Sequence, residues 1–395
     1  MNDGAMSTLP PHLARIIAAE VPRFSDGEMA RRRAGVEALL VEAECDHLVF
    51  CGLNRFGSAV QWLTQWPVTA EAVGVLSPGE RAALFVQYVN HAPQARIIAD
   101  KADVVWGGES SIAAAIKVLE KRASRTGRIA YIGPLTADQH AQLSTRFSNI
   151  VNLTRAYIRL RQVKSGEEID WLRIGAHFSD LGMAALRDGL KIGMSERELG
   201  DLVERAYVSQ GATNVIHYIG TTAMSAPDLG VPRQFPTTRR LQKGDVVVAE
   251  ISAAFWEHPG QVLRSFALGE PSKLYDDLHA AADAACDAIA AVLKAGATPA
   301  DVIEASRVIE DAGFTIIDDL LHVYGGGYLP PILGSNSRPA GPIPREPFRV
   351  GQTVVIQPNV VTRDGKAGVQ TGEMVVITES GIERLHAIPR GFVQL

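Results

Sequence analysis

The 395 residues include only three cysteines, Cys45, Cys51 and Cys286, too few and too scattered for a disulfide framework or a zinc knuckle. Packing in a core is the ordinary use of such residues. No run of about 18 apolar residues occurs, so no membrane-spanning helix is expected, and Met1–Leu13 lacks the basic start and apolar middle of a secretory signal. An excess of positive charge is missing too: 39 Lys and Arg against 44 Asp and Glu leave a net charge of −5, which argues against nucleic acid. The expectation is a cytoplasmic protein without a nucleic-acid or membrane partner. The ten histidines form no His-x-Glu-x-x-His helix. There is no Gly-x-Ser-x-Gly elbow, and no glycine-rich piece sits between a strand and a helix as a phosphate cradle requires.

What is present is enough chain for two domains, each with a core of its own. Over residues 1–160, an amphipathic helix Phe24–Glu44 opens at Ser25 or Asp26 and feeds a buried strand His47–Cys51. Strands at Val73–Leu76, Ala82–Val86, Ala95–Ile98 and Arg128–Gly133 alternate with helices Ile112–Ala123 and Ala137–Phe147, as in a small α/β domain. From 161 to 395 the pattern changes. Ser165 with Glu168 and Ser195 with Glu198 are capping boxes that start two helices. A loop-rich piece Ile216–Pro236, a hairpin, helices Leu274–Leu293 and Thr298–Ala312, and strands Thr353–Pro358 and Val369–Thr378 follow. Long helices flanking an antiparallel sheet make this half α+β.

The hairpin Lys243–Gly269 holds the anomaly. Val246–Ala249 and Ile251 form an apolar run with strong β-preference, and Glu250 lies inside it. Burying a carboxylate is costly unless something pairs with it. Gln261 and Arg264 follow on the returning strand. The cluster either performs chemistry or is an ion pair of Glu250 with Arg264 that secures the hairpin.

These segments resemble the pita-bread superfamily of methionine aminopeptidases, Xaa-Pro aminopeptidases and creatinase. Arg161-Gln-Val-Lys-Ser-Gly-Glu-Glu-Ile169 is similar to the entry of its catalytic domain, and Leu241-Gln-Lys-Gly-Asp245 to the lead-in of its first metal strand. Gly351-Gln-Thr-Val-Val-Ile-Gln-Pro358 and Val375-Val-Ile-Thr-Glu-Ser-Gly381 are similar to its last two strands. The resemblance implies a C-terminal pita-bread domain preceded by a smaller creatinase-like α/β domain. Peptidases of the superfamily hold two metal ions with two Asp, one His and two Glu. Carried over, the first Asp falls on Glu250, the second on Gln261, the His on or near Gly326, one Glu on Gln357 and the other near Gly372, with Glu373 one position away. One carboxylate of five ligands remains. Hard divalent ions want several anionic oxygens, so no metal or other cofactor is expected.

Creatinase implies that the fold hydrolyses a carbon–nitrogen bond without metal, although its catalytic histidine falls near Pro232 or Arg233 here. The likeness to ectoine hydrolase lies in a Glu at the first ligand position and in Gly325-Gly-Gly-Tyr-Leu-Pro-Pro331. The resulting expectation is a metal-independent hydrolase of a cyclic amidine or amide in a small polar or zwitterionic molecule, acting as a homodimer. Glu250 is the expected nucleophile or base, because desolvation raises the pKa of a buried carboxyl. His258, in the hairpin turn, is a candidate general acid. His217, Tyr218, Gln261, Arg264, His322, Tyr324 and Gln357 are expected to bind substrate. The resemblance adds Trp66, which would cap the pocket of the other subunit. A catalytically inactive binding protein, or a lyase that abstracts a proton with Glu250, are the competing readings.

Overall fold

The computed structural model describes residues 9–122 and 127–395. Met1–Thr8 and Ala123, the expected end of a helix, lie outside them. The chain divides into two units: Ala19–Arg161, and Gln162–Leu395 joined by the N-terminal residues up to Ala18. The helix Pro11–Ala18 therefore belongs with the C-terminal half, where His12 lies 3.5 Å from Asp170. A division at residue 160 does not foresee that.

In the unit 19–161, six strands order as Ala102–Trp106, Ala82–Val86, Glu71–Leu76, His47–Leu53, Arg128–Ile132 and Asn149–Asn152. Helix Asp26–Glu42 starts where Ser25 accepts the Glu28 amide, as an N-cap does. Val49, Cys51, Val73, Val75 and Phe85 pack against Ile112, Ile116, Leu119 and Leu143 to form the core. One expected strand is a helix. Ala92–Ile98 carries Pro93 in its first turn, where proline favours a helix start, and the edge strand is Ala102–Trp106 instead.

The C-terminal unit is built on an antiparallel sheet. Its main path runs Tyr328–Leu333, Leu321–Tyr324, Thr353–Ile356, Gly372–Ile377, His258–Ala267, Asp245–Phe255 and Thr213–Ala223. The last of these takes up the first eight residues, 216–223, of the expected loop 216–236. It pairs along its length with the Glu250 strand and covers its second edge, and every residue of that strand is buried. A second sheet orders Thr315–Ile316, Asn359–Val361 and Gly368–Gln370.

Helix Gly166–Gly189, opened by the expected Ser165–Glu168 box, lies on the hairpin. Its approach depends on two glycines. A Cβ on Gly175 would sit 2.2 Å from the His258 carbonyl, and one on Gly260 2.2 Å from Ala176 Cα. Ser179 locks the contact by bonding the Gly260 carbonyl at 2.5 Å and accepting the Ala253 amide at 2.8 Å. Helix Lys273–Val292 carries a buried face that includes Tyr275, Leu278, Ala282 and Ile289. Each large apolar side chain so buried contributes roughly 1.5–3 kcal/mol.

Candidate active site

Strand parity decides which side chains meet Glu250. Residues directly opposite in an antiparallel pair project from the same face, and neighbours along a strand from opposite faces. Glu250 stands opposite Tyr218 on one side and Leu263 on the other, and Ser252 stands opposite Gln261. Tyr218, Glu250, Ser252 and Gln261 therefore share a face. His217 and Arg264 project from the other.

On the shared face the Glu250 carboxyl, 4 % exposed, is held at both oxygens. Gln261 Nε2 is 2.7 Å from Oε1, and Gln370 Nε2 is 3.3 Å from Oε2. Gln261 Nε2 also reaches Gln357 Oε1 at 2.9 Å, which lies 3.2 Å from His322 Nε2. Gln357 Nε2 donates to Asp319 Oδ1 at 3.0 Å, and the Tyr328 hydroxyl donates to the same oxygen at 2.7 Å. Gln261 Oε1 and Gln370 Oε1 are buried without a hydrogen-bond partner among the described residues. Buried polar atoms are normally satisfied, so these two acceptors fit a site that receives something. Tyr218 and Asp318 are half-buried and Tyr328 is exposed, which opens the cluster on that side.

The electrostatics follow from burial and from three neighbouring carboxyl groups. Burial, and then the charge of Asp318, push Glu250 up to about 8 against the hydrogen bond from Gln370 and, after the charge of Asp319, that from Gln261. Burial and the neighbouring Asp319 raise Asp318 to about 6. Burial raises Asp319 as well, against the hydrogen bonds of Tyr328 and Gln357. Burial lowers His322 to about 4, so its ring is neutral near pH 7. Tyr218 is raised by burial and by the Glu250 charge.

The expected site residues thus fall into two sets. Glu250, Tyr218, Gln261, Gln357 and His322 come together, and Tyr324 joins them with its ring 5.3 Å from His322. Arg264 does not. Its Nη2 donates to Glu373 at 2.7 Å and to the Ile388 carbonyl, and the rest of the guanidinium donates to the carbonyls of Leu263, Gly372 and Pro389. The hairpin ion pair with Glu250 is therefore absent, and Glu373, also bonded by Arg384, is withdrawn from the site. His217 bonds the Tyr207 hydroxyl at 2.7 Å on the opposite face. His258 sits in a two-residue turn formed by Trp256 and Glu257 at φ 46° and 61°. Its Nδ1 contacts the Trp256 carbonyl at 2.9 Å and its ring lies 5.3 Å from Trp171. Five strand residues, roughly 16 Å, separate this turn from Glu250. Trp66 is buried in the N-terminal unit.

Sequence reasoning missed Asp318, Asp319, Tyr328 and Gln370. The available signal was an acidic pair inside the apolar run Ile316-Ile-Asp-Asp-Leu-Leu321. Gln370, not a side chain at or beside Gly372, where the last family ligand was expected to fall, reaches the second oxygen of Glu250. At Gly372, φ is 152° and a Cβ would stand 1.9 Å from the Ile356 carbonyl, so no side chain fits.

The metallopeptidase family M24 model matches residues 170–379. Creatinase of Bacillus sp. is 23 % identical over 389 residues, covering 94 % of this chain and 93 % of that protein. Xaa-Pro dipeptidase of Pyrococcus furiosus is 24 % identical over 229 residues, 57 % of this chain and 63 % of that protein. The X-Pro aminopeptidase structure of Thermotoga maritima superposes with a TM-score of 0.80 at 18 % identity, covering 92 % of this chain and 99 % of that one. The fold is the pita-bread fold.

The two metal ions that the family name implies can be tested against the donors present. Both Glu250 oxygens are taken by amides. Gln261, Gln357 and Gln370 are neutral, Gly326 and Gly372 offer no side chain, and Asp319 Oδ1 already accepts two hydrogen bonds. Among the described residues no group of three or more His, Cys, Asp or Glu is arranged to hold a metal ion. Divalent ions need anionic oxygens or imidazoles in number, so the donor set does not fit a dinuclear centre. With the family model spanning more than half of its length, the chain belongs to metallopeptidase family M24, a family of hydrolases.

Proposed function

We propose that this protein hydrolyses a carbon–nitrogen bond in a small polar or zwitterionic molecule, of the cyclic amidine or amide class, without a metal ion. The observation that carries the reading is Glu250, a carboxyl clamped at both oxygens by amides where the family's peptidases gather metal ligands. Its similarity to creatinase over nearly the whole chain supports the non-peptide class.

Two carboxyl groups with separated pKa values suit paired acid–base work. Near pH 7, Glu250 at about 8 keeps its proton and Asp318 at about 6 is mostly ionised. In this reading Asp318 takes a proton from the attacking water, whose oxygen bonds to the substrate carbon. Glu250 gives its proton to the departing nitrogen as the carbon–nitrogen bond breaks. The expected role of Glu250 as nucleophile or base thereby becomes that of acid. Gln370 Oε1 accepts an N–H group of the substrate, and the rings of Tyr218, Tyr324 and Tyr328 flank it.

The test is a screen of chelator-treated protein against cyclic amidines, lactams and ureido acids, with Xaa-Pro dipeptides alongside. Turnover of a member of the first group, unchanged by chelation and lost in Glu250→Gln, is the expected result. The peptidase names of other relatives, such as Xaa-Pro dipeptidase, favour a second reading. Dipeptide cleavage that appears with added manganese or cobalt would establish it and overturn the first.

A further inference from the structure

The hydrogen-bond chain from Glu250 to Asp319 has a proton inventory that cannot be completed as it stands with a neutral His322. His322 Nδ1 lies 3.2 Å from the Val323 carbonyl and Nε2 lies 3.2 Å from Gln357 Oε1. Both partners are acceptors only, so satisfying both requires hydrogen on both ring nitrogens, an imidazolium. The ring is fully buried, and no carboxylate bonds either of its nitrogens. Burial of an unpaired cation is strongly disfavoured.

An amide side chain carries an acceptor at one end and donors at the other, and half a turn exchanges them. If Gln357 turns over, its NH2 donates to His322 Nε2 and His322 keeps a single hydrogen at Nδ1, on Val323. The Gln357 oxygen then faces Asp319 Oδ1, which needs a proton on Asp319. The other Gln357 hydrogen faces Gln261, which must turn as well and present its oxygen to Glu250 Oε1. That contact needs a proton on Glu250. The chain therefore has two neutral-ring settings, one that fills every contact and one that leaves His322 Nδ1 without hydrogen against the Val323 carbonyl. In one, Glu250 and Asp319 are both protonated and His322 carries its hydrogen at Nδ1. In the other, both are ionised, the amides point as first described, and the hydrogen is at Nε2.

We propose that Gln261 and Gln357 are positioning residues that form a two-setting relay, so that Glu250 and Asp319 gain and lose protons together and the tautomer of His322 reports the setting. The groups facing the chain are Asp318 beside Asp319, Tyr218 across from Glu250, Tyr324, and Tyr328, whose ring lies 3.9 Å from His322. None of these bonds the two amides, so none offers Gln261 or Gln357 an alternative partner. The direction of the shifts agrees: Glu250 and Asp319 are raised and His322 is lowered. The relay also gives the site two faces. Beside Glu250, Gln261 offers an unpartnered acceptor in the ionised setting and an unpartnered donor in the protonated one. Tyr328, exposed and bonded to Asp319, connects the inner end of the chain to solvent.

Whether the relay serves catalysis rests on Glu250 being the reacting acid, but its existence is testable without substrate. The protein would be labelled with 15N-histidine, and the ring nitrogens followed by long-range 1H–15N correlation from pH 6 to pH 10, with His322 assigned from the spectrum of His322→Gln. The expected result is a neutral His322 whose hydrogen moves from Nδ1 to Nε2 around pH 8, a tautomer change with no change of ring charge. An imidazolium, or one tautomer held over the whole range, overturns the proposal in the unaltered protein. Gln261→Met leaves Glu250, Asp319 and His322 in place but cuts the chain, and the tautomer change should disappear. If it persists, Asp319 turns Gln357 on its own, without Glu250, and the relay is refuted. Failure of the turnover screen leaves these spectra unaffected, so the two readings fail separately.

Discussion

Replacing Glu250 by Gln removes a titration that the fold resists, and its effect on stability follows from the site. The carboxyl rises from 4.5 to about 8 on burial. The folded state therefore holds a proton that the unfolded chain has released between those values. Stability from this group is complete below pH 4.5 and is lost as pH rises through about 8. The full difference corresponds to about 5 kcal/mol, and relaxation around the charge would return about half of it. Gln at 250 keeps the shape, and the unpartnered oxygens of Gln261 and Gln370 are available to accept its NH2. Asp318 titrates in both proteins, so the difference between them reports Glu250 together with whatever part of the Asp319 titration is coupled to it. Thermal melts at matched scan rates from pH 5 to pH 9 should show Glu250→Gln melting close to the parent at pH 5. By pH 9 it should lie above the parent by roughly 5–10 °C, taking about 2–4 °C per kcal/mol for a unit of this size. Parallel curves across the range would mean that the carboxyl ionises freely and that the site is wetter than its 4 % exposure indicates.

Arg264→Met removes five buried hydrogen bonds, four to backbone carbonyls and one to the Glu373 carboxylate, which is left with Arg384 alone; a loss of about 3–5 kcal/mol is expected in urea unfolding, with no recovery in Arg264→Lys, which cannot reproduce the fork. Once a substrate is known, His258→Gln should keep kcat within about twofold, because the turn lies roughly 16 Å from Glu250; a loss comparable to that of Glu250→Gln would restore it to the site. Gln357→Glu adds a carboxyl against Asp319 and Gln261. It should lower the melting temperature at pH 8 more than at pH 5 and leave elemental analysis free of bound divalent metal; stoichiometric manganese would show that the donors fit after all.

Much of the fold was legible because its signals are local. Ser165 with Glu168 and Ser195 with Glu198 are capping boxes in sequence and in structure. The hairpin around Glu250 shows itself as two apolar runs. Pro93 was an available signal too, since proline in a first helical turn separates helix from strand at Ala92–Ile98. Arg264 was misplaced for a reason visible in the sequence. Three positions from Gln261 on one strand is an odd step, so the two side chains leave on opposite faces. The same parity separates His217 from Tyr218. The acidic pair Asp318–Asp319 was visible inside its apolar run, but its approach to Glu250, like that of Gln370, is set by the pairing of distant strands, and no local period encodes it.

The composition of the site has a physical logic of its own. Carboxylates grouped around metal ions owe their closeness to the cations between them. Without cations, two unit charges 4 Å apart repel by about 4 kcal/mol at the effective dielectric typical near a protein surface. Neutral amides at three positions keep donors and acceptors in the pocket without that repulsion. Gln261, Gln357 and Gln370 occupy those positions, and each donates to a carboxyl or to another amide of the chain. An amide also does what a carboxylate cannot: it reverses its polarity by turning over. A site built from one clamped Glu and three such groups can therefore pass a change of protonation along its length while its heavy atoms stay in place.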